Sequence, residues 1–576
     1  MRSQLRAGAI LRAPWLIAFY LAGVAWLTWP LAGSLSSVLP CPTGMFMHDV
    51  YYSTWVLAHE SHALLTAPWR IADANIYHPT PSALFYGPAG LGALPLFAPV
   101  FLATGNPTLA INVTFLVGLA LTGAAMHVVL RRWTGSDLAG VVGAATLLAN
   151  QWVIWAFVPT APHWAALELL PLIAFVAAAP FPSMRAALRL LPLLVLQCLT
   201  DLVYVAPAVL GPLGVLAAIR ILRRDTRAAA VRLAAVLALT LAALLPVYGG
   251  YLGVRAANPD LSTQTWWAVT ESTFPAPLPD RFLVGNYPLV LTPVAMALVG
   301  VGALVALGRR RGGAAAPVPG GWAHGALWAV VGAVLSLPAQ VTVAGACYRT
   351  PLGYLAMWAD PYRTIRVSSR LGVAGLLGLG ILSGVAFGEI AGLIATRLRR
   401  PAAASVGRGA LAAVVLGLVY HAYASSYRPL GHFSPMPAAY ALCAAPTVPA
   451  RLLPLLRASG EPLLEVPLAP GDDHAAAMYH SIAHWRPLLN GYSSYWPADF
   501  PQRMADAARL PDPVALDRLV ETTGLAMVWL HVARLPPAAR AAWLAPPGDG
   551  AHRLQLVARS GTELLYAVVP ATPSPG

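Results

Sequence analysis

The chain has 576 residues, 58% hydrophobic and 10% charged, with a mean hydropathy of +0.64. Soluble domains carry about a quarter charged residues, so this composition excludes a soluble globular protein and describes an integral membrane protein. The formal charge of +14 does not call for a nucleic-acid partner, because the basic residues fall in short runs between apolar segments, as the positive-inside rule distributes them. Every basic side chain is Arg. With the Ala, Gly and Pro load, this reads as drift in a GC-rich bacterial genome.

At the N-terminus Arg2, Arg6 and Arg12 precede an apolar core from Pro14 to about Gly33. At ~20 residues it is long for a signal peptide and right for a span. Pro40 before Cys41 opposes a lipoprotein-type cleavage. An uncleaved anchor with a cytoplasmic N-terminus is expected. It delivers a first outer loop over about 35–106. Within that loop 84–104 is apolar but broken by Pro88, Gly90, Pro95 and Pro99, which suits a re-entrant or interfacial segment better than a span.

Further spans are expected at about 107–130, 137–157 and 164–180, then two short ones within 188–222 that meet outside near Asp201 and Tyr204. Others follow at about 230–251, 286–307, 322–343, 369–392 and 407–427. That makes about 11 transmembrane helices, with Arg131-Arg132, Arg185, Arg189, Arg220 to Arg227, Arg309 to Arg311 and Arg397 to Arg400 inside. The outer loops hold Trp266, Trp267 and Glu271, then Arg349, Asp360, Arg363, Arg366 and Arg370 around 347–370. This last loop is Arg-rich on the wrong side, so topology is not what its arginines serve.

From about 429 the composition turns soluble, with short strands at 462–467, 526–531 and 564–569 and a helix start at 516–523. The expected architecture is an all-α polytopic membrane bundle, 1–428, followed by a small α/β extracytoplasmic domain, 429–576. Four cysteines are too few for a disulfide framework. Cys41, Cys347 and Cys443 face outside, so one bridge is open to them without a specified pair.

The polar residues of the first loop stand out against this background. Asp49, next to His48 and ahead of Tyr51 and Tyr52, is a carboxylate at the membrane surface, suited to act as general base or metal ligand; a helix N-cap is the plainer account. His59, Glu60 and His62 miss the HExxH zinc spacing and read as the polar face of an interfacial helix. His78 sits in a turn-forming segment. His163, at the mouth of the fourth span, can reach a phosphate or sugar hydroxyl, and Glu168 lies one turn deeper. Arg366 and Arg370 offer bidentate phosphate binding. In the soluble part His474, His480 and His484 are spaced like a metal cluster, but Asn490-Gly491-Tyr492 reads as a turn in a binding or structural module.

Several of these stretches together resemble the GT-C superfamily of polytopic glycosyltransferases: Met47-His-Asp49 after the first span, Asn75-Ile-Tyr-His-Pro79, the proline-broken segment to Asn106, Leu121-Thr-Gly123 through Arg131-Arg-Trp-Thr-Gly135, His163, and Ile365-Arg-Val-Ser-Ser-Arg370. The tail, with Glu465-Val-Pro467 and Pro487-Leu-Leu-Asn-Gly-Tyr492, is similar to tails of its bacterial membrane members. The resemblance implies a polyprenyl-phosphate-linked sugar donor and a glycan, lipid or protein acceptor, joined at the outer face of a bacterial inner membrane. It implies Asp49 as base, Arg366 and Arg370 as a phosphate clamp, and His48, Tyr52, His78 and His163 as substrate contacts. Asp49 has a histidine, not a second carboxylate, beside it, so no metal ligand set is assigned and a divalent metal is left open. The runner-up is a lipid-linked glycan transporter or translocase; a carrier should show inverted repeats and mid-span ionisable groups, whereas here the polar residues gather at one surface and repeats are absent, which favours a surface enzyme. A non-catalytic assembly protein on the same frame remains the other reading.

Overall fold

The computed structural model describes residues 2–41, 47–263, 276–277, 282, 287–311, 320–358, 365–398, 400–425, 439–544 and 551–570. Trp266, Trp267, Glu271, Asp360 and Arg363 lie outside the described residues. Among those described, five helices are long and apolar enough to cross a membrane: Pro107–Thr134, Arg227–Ala257, Pro293–Arg311, Ser368–Arg397 and Pro401–Ala424. Shorter apolar helices include Pro14–Leu27, Leu91–Thr104, Asp137–Leu148, Pro162–Ala178, Val205–Ile221 and Gly321–Leu335. The chain is a multi-pass membrane protein.

Local chemistry explains where these helices stop. The Pro107–Thr134 helix starts at Asn106, whose side chain accepts the Leu109 N–H, with Pro107 in the first turn. It ends at Gly135 with φ 71°, the left-handed position glycine fills most readily, and Ser136 caps the next helix. The expected span 137–157 stops early, at Leu148. Asn150 accepts the Trp152 N–H at 2.8 Å and donates to Pro288 O at 2.9 Å; its side chain competes with the helical backbone, and Trp152–Ala156 continues as a wider π-type turn. The span expected over 322–343 is a helix only over Gly321–Leu335; Pro338 follows, and Gln340–Val343 pairs antiparallel with Ala346–Arg349.

Ser368–Arg397 is the axis of the bundle. Its apolar window is 89% buried, against 17% for Pro401–Ala424. Close approach is possible because small residues face each other: a Cβ on Gly332 would strike the Gly375 backbone, and one on Gly378 the backbone of Ala329. Such contacts let apolar helices pack backbone to backbone where no hydrophobic force separates protein from lipid. The consequence for function is positional. The turn Ser368–Gly372 that opens this helix, and carries Arg370, is anchored to the most constrained element of the protein.

The first loop and the C-terminal part are built into one another. Val38–Pro40 pairs antiparallel with Leu442–Ala444, and beside them Cys41 and Cys443 form a disulfide, which supplies the pair that spacing left open. A four-stranded sheet follows, in the order Leu463–Val466, Met527–His531, Glu563–Pro570, His552–Ser560, with the first pair parallel and the rest antiparallel. The edge strand His552–Ser560 was not expected; its Arg553-Leu-Gln-Leu556 alternation is short and its residues are largely exposed. Backbone bonds knit this unit to the loop: Tyr77 N–H to Asn490 O, His78 N–H to Leu488 O, Leu488 N–H to Asn75 O, and Tyr495 N–H to Tyr86 O, at 2.8–3.1 Å.

Candidate active site

Asp49 lies in the first turn of the Met47–Thr66 helix, where the positive end of the helix dipole favours a carboxylate. It is inside the helix, so the capping account does not hold. Its Oδ1 accepts a 2.7 Å hydrogen bond from the Tyr492 hydroxyl. Burial, with Asp49 next in effect, holds the Tyr492 phenol well above its ordinary range, so Tyr492 stays a donor. Alongside, His48 Nδ1 is 2.8 Å from Asp472 Oδ1, and its ring is 4.9 Å from that of Tyr492.

Tyr52, one turn along, reaches a different partner. Its hydroxyl donates to Pro88 O at 3.1 Å. The segment 87–92 is held from all sides: Tyr251 donates to Gly87 O and accepts the Ala89 N–H, both at 2.9 Å, and Gly92 N–H donates to Leu199 O at 3.0 Å. A side chain on Gly87 would collide with Tyr52 and Ser493. The glycine is there because three elements meet at that point.

Gly90 N–H donates to Glu60 Oε1 at 3.2 Å. Glu60 is 0% exposed, and its Oε2 has no hydrogen-bond partner among the described residues. Burial pushes its carboxyl up to about 8, against the pull of the Gly90 N–H. The expected polar outer face of this helix is therefore a correction. His59 is buried, stacked on Trp55 and 2.9 Å from Ile71 O, while His62 stacks on Trp485 at 4.3 Å. Residues more than four hundred positions away cover a face that would otherwise meet water.

The arginines form the other half. The Arg366 guanidinium lies 5.5 Å from the Tyr495 ring centroid, within electrostatic reach of both Tyr495 and Tyr492. Its Nη1 is buried with no hydrogen-bond partner among the described residues. Arg370 lies between Phe157 and Tyr204, at 4.0 and 5.3 Å from their centroids. Close to it are two polar groups. His163 is buried with both ring nitrogens unbonded among the described residues, Gly90 packing near its Cβ. Asp201 accepts the Val203 and Tyr204 N–H groups at 2.8 Å each; burial raises its carboxyl to about 6, tempered by those bonds, Arg370 and Trp164.

Of the residues singled out from sequence, Asp49, His48 and Tyr52 gather around Tyr492, and Arg366 joins them through Tyr495, three positions on. Arg370 and His163 neighbour each other. His78 is engaged elsewhere: its carbonyl accepts from Arg503, which also holds Tyr77 O and the Thr80 hydroxyl. Arg503 thus secures the loop, and His78 acts as part of that joint. The residues that sequence missed are Tyr492, Tyr495 and Tyr251, and Glu60 was read as surface. The only local signal was a polar turn at 490–492.

No family model matches the chain, and no curated protein matches its sequence. Solved structures match its shape, two of them over nearly the whole chain. Arabinofuranosyltransferase AftD from Mycobacteria superposes with a TM-score of 0.53 at 15% identity, over 97% of this chain and 40% of that one. The chain has the GT-C fold. It spans less than half the length of AftD, so the agreement concerns the frame alone. ArnT from Cupriavidus metallidurans, in its apo state, aligns over 96% of this chain and 97% of its own, with 15% identity and a TM-score of 0.46. Within this frame, the acid of the first loop and Arg366, just before a late helix, both contact the C-terminal segment 492–495.

Proposed function

We propose that this protein is a membrane glycosyltransferase that moves a sugar from a polyprenyl-phosphate-linked donor to an acceptor hydroxyl at the outer face of a bacterial inner membrane. The observation that carries the reading is the link from Asp49 through Tyr492 to Tyr495 and Arg366. One proton acceptor and one guanidinium whose Nη1 has no hydrogen-bond partner among the described residues contact the same short segment, 492–495.

In the proposed reaction the acceptor oxygen bonds to the anomeric carbon as its proton passes to Asp49. The bond from that carbon to the phosphate oxygen breaks, and the lipid phosphate leaves with the electron pair. Arg366, with a free N–H, and Arg370, braced by two rings, stabilise the charge that gathers on the phosphate. Tyr492 orients the carboxylate through one oxygen and leaves the other for the acceptor. The Cys41–Cys443 bridge supports an extracytoplasmic site, since disulfides persist in oxidising compartments.

The test is glycolipid and surface-glycan analysis of a deletion strain complemented with wild type, Asp49→Asn or Arg366→Ala. Loss of a glycan in the deletion, restored by wild type and by neither variant, is the expected result. Restoration by Asp49→Asn at normal levels removes the catalytic reading and leaves an assembly protein on a transferase frame.

A further inference from the structure

The outer sheet contains a second buried polar cluster that sugar transfer does not use. Glu465 comes from Leu463–Val466, His531 from the end of Met527–His531, and His480 from the Asp472–Ser481 helix. Two imidazole nitrogens converge on one carboxylate oxygen: His480 Nδ1 is 2.8 Å and His531 Nε2 3.1 Å from Glu465 Oε2. One ligand atom from each of the three side chains lies within 4.8 Å of the others. Glu465, His480 and His531 are 2%, 7% and 6% exposed.

The surroundings select among explanations. The second nitrogen of His531, Nδ1, is 2.5 Å from Glu563 Oε2, which also accepts the Trp529 indole N–H at 2.8 Å. A carboxylate that takes the Nδ1 hydrogen fixes the tautomer and leaves the Nε2 lone pair facing Glu465. That is how metal-bound histidines are usually oriented. Glu465 Oε1 is buried with no hydrogen-bond partner among the described residues, an expensive arrangement for a carboxylate.

Charge balance points the same way. Glu465 is a buried carboxylate facing two imidazoles, while Glu563 beside them is partly exposed. One divalent ion lets both imidazoles stay neutral; without the ion, an imidazolium shares this interior with a second ring whose centroid is 5.8 Å away. We propose that Glu465, His480 and His531 bind a divalent cation of the zinc class, with Glu563 orienting His531. Two imidazoles and a carboxylate are the donor set zinc favours. The ion ties the Asp472–Ser481 helix to two strands. The same helix bonds Tyr479 to Thr108 and receives the Tyr492 N–H on Met478 Sδ at 3.1 Å. Of the three histidines spaced like a cluster in sequence, only His480 belongs to this group. His474 packs on Phe500, and His484 accepts the Arg486 N–H.

The test uses the full chain in detergent, stripped with EDTA and then dialysed against Zn²⁺ or Co²⁺. Elemental analysis should find about one ion per chain in wild type and in His474→Gln, and below about a tenth in Glu465→Gln and His531→Gln. Cobalt-loaded wild type should show the intense visible bands of a four- or five-coordinate site, a readout that stands even if the variants fail to fold. Wild type that retains no ion, or His531→Gln that retains as much as wild type, overturns the proposal in favour of a purely hydrogen-bonded network.

Discussion

Tyr492 donates its hydroxyl to Asp49 at 2.7 Å across 443 positions of sequence. The acid belongs to the first loop and the phenol to the C-terminal unit, so the geometry of the one depends on the folding of the other. A hydrogen bond to a charged acceptor is worth about 1.5–3 kcal/mol. Tyr492→Phe keeps the ring and its contacts to His48 and Tyr52 while removing that bond. Turnover should fall by about tenfold or more with the melting temperature little changed, as measured on purified protein with a lipid-linked donor.

The Arg366 site predicts a distinction between charge and shape. Lys at 366 retains the positive charge but not the planar fork that meets two phosphate oxygens at once or lies on the Tyr495 ring. Arg366→Lys should therefore raise the donor KM and lower kcat by about tenfold in kcat/KM, and Arg366→Ala by more. Equal kinetics for Lys and Arg would mean that only the field matters. Donor titrations with each variant give the answer.

These two residues also show what a sequence can and cannot declare. Asp49, Arg366 and Arg370 were visible because charge is costly near a bilayer and each sits in or beside an apolar run. The span expected over about 107–130 was legible from its apolar run and the Arg131-Arg132 pair behind it, though the helix runs on to Thr134. The strands near 463–466, 527–531 and 563–570 were marked by β-branched and apolar runs. Tyr492 was not visible, since a tyrosine after Asn490-Gly491 has no local mark of its distant partner. Glu60 was misread because its helix face, though polar, is covered: the loop folds back so that Gly90 meets Glu60, and Trp485 from far downstream stacks on His62. The cystine partner of Cys41 was likewise a matter of strand pairing, not of spacing.

Opening the Cys41–Cys443 bridge should loosen the joint between the two parts. Only three residues on each side pair there, too short a ribbon to hold on its own. Cys41→Ser with Cys443→Ser should lower stability by about 2–4 kcal/mol, and dithiothreitol should reproduce the effect in wild type but not in the double variant. Thermal melts in detergent, with and without reductant, check it.

Glu60 supplies a pH signature. Burial raises its carboxyl from the ordinary value of 4.5 to about 8, so between those values the folded chain holds a proton that the unfolded chain has released. Stability must then fall as pH rises through that window and level off above about 8. At pH 7 the burden is on the order of 3 kcal/mol. Glu60→Gln keeps an acceptor for the Gly90 N–H and carries no charge to bury. The variant should melt higher than wild type at pH 8, match it near pH 4.5, and show a flatter profile between. Melting temperatures measured across pH 4.5–8.5 in one detergent decide the matter, and parallel curves for the two proteins would remove the buried acid as the cause.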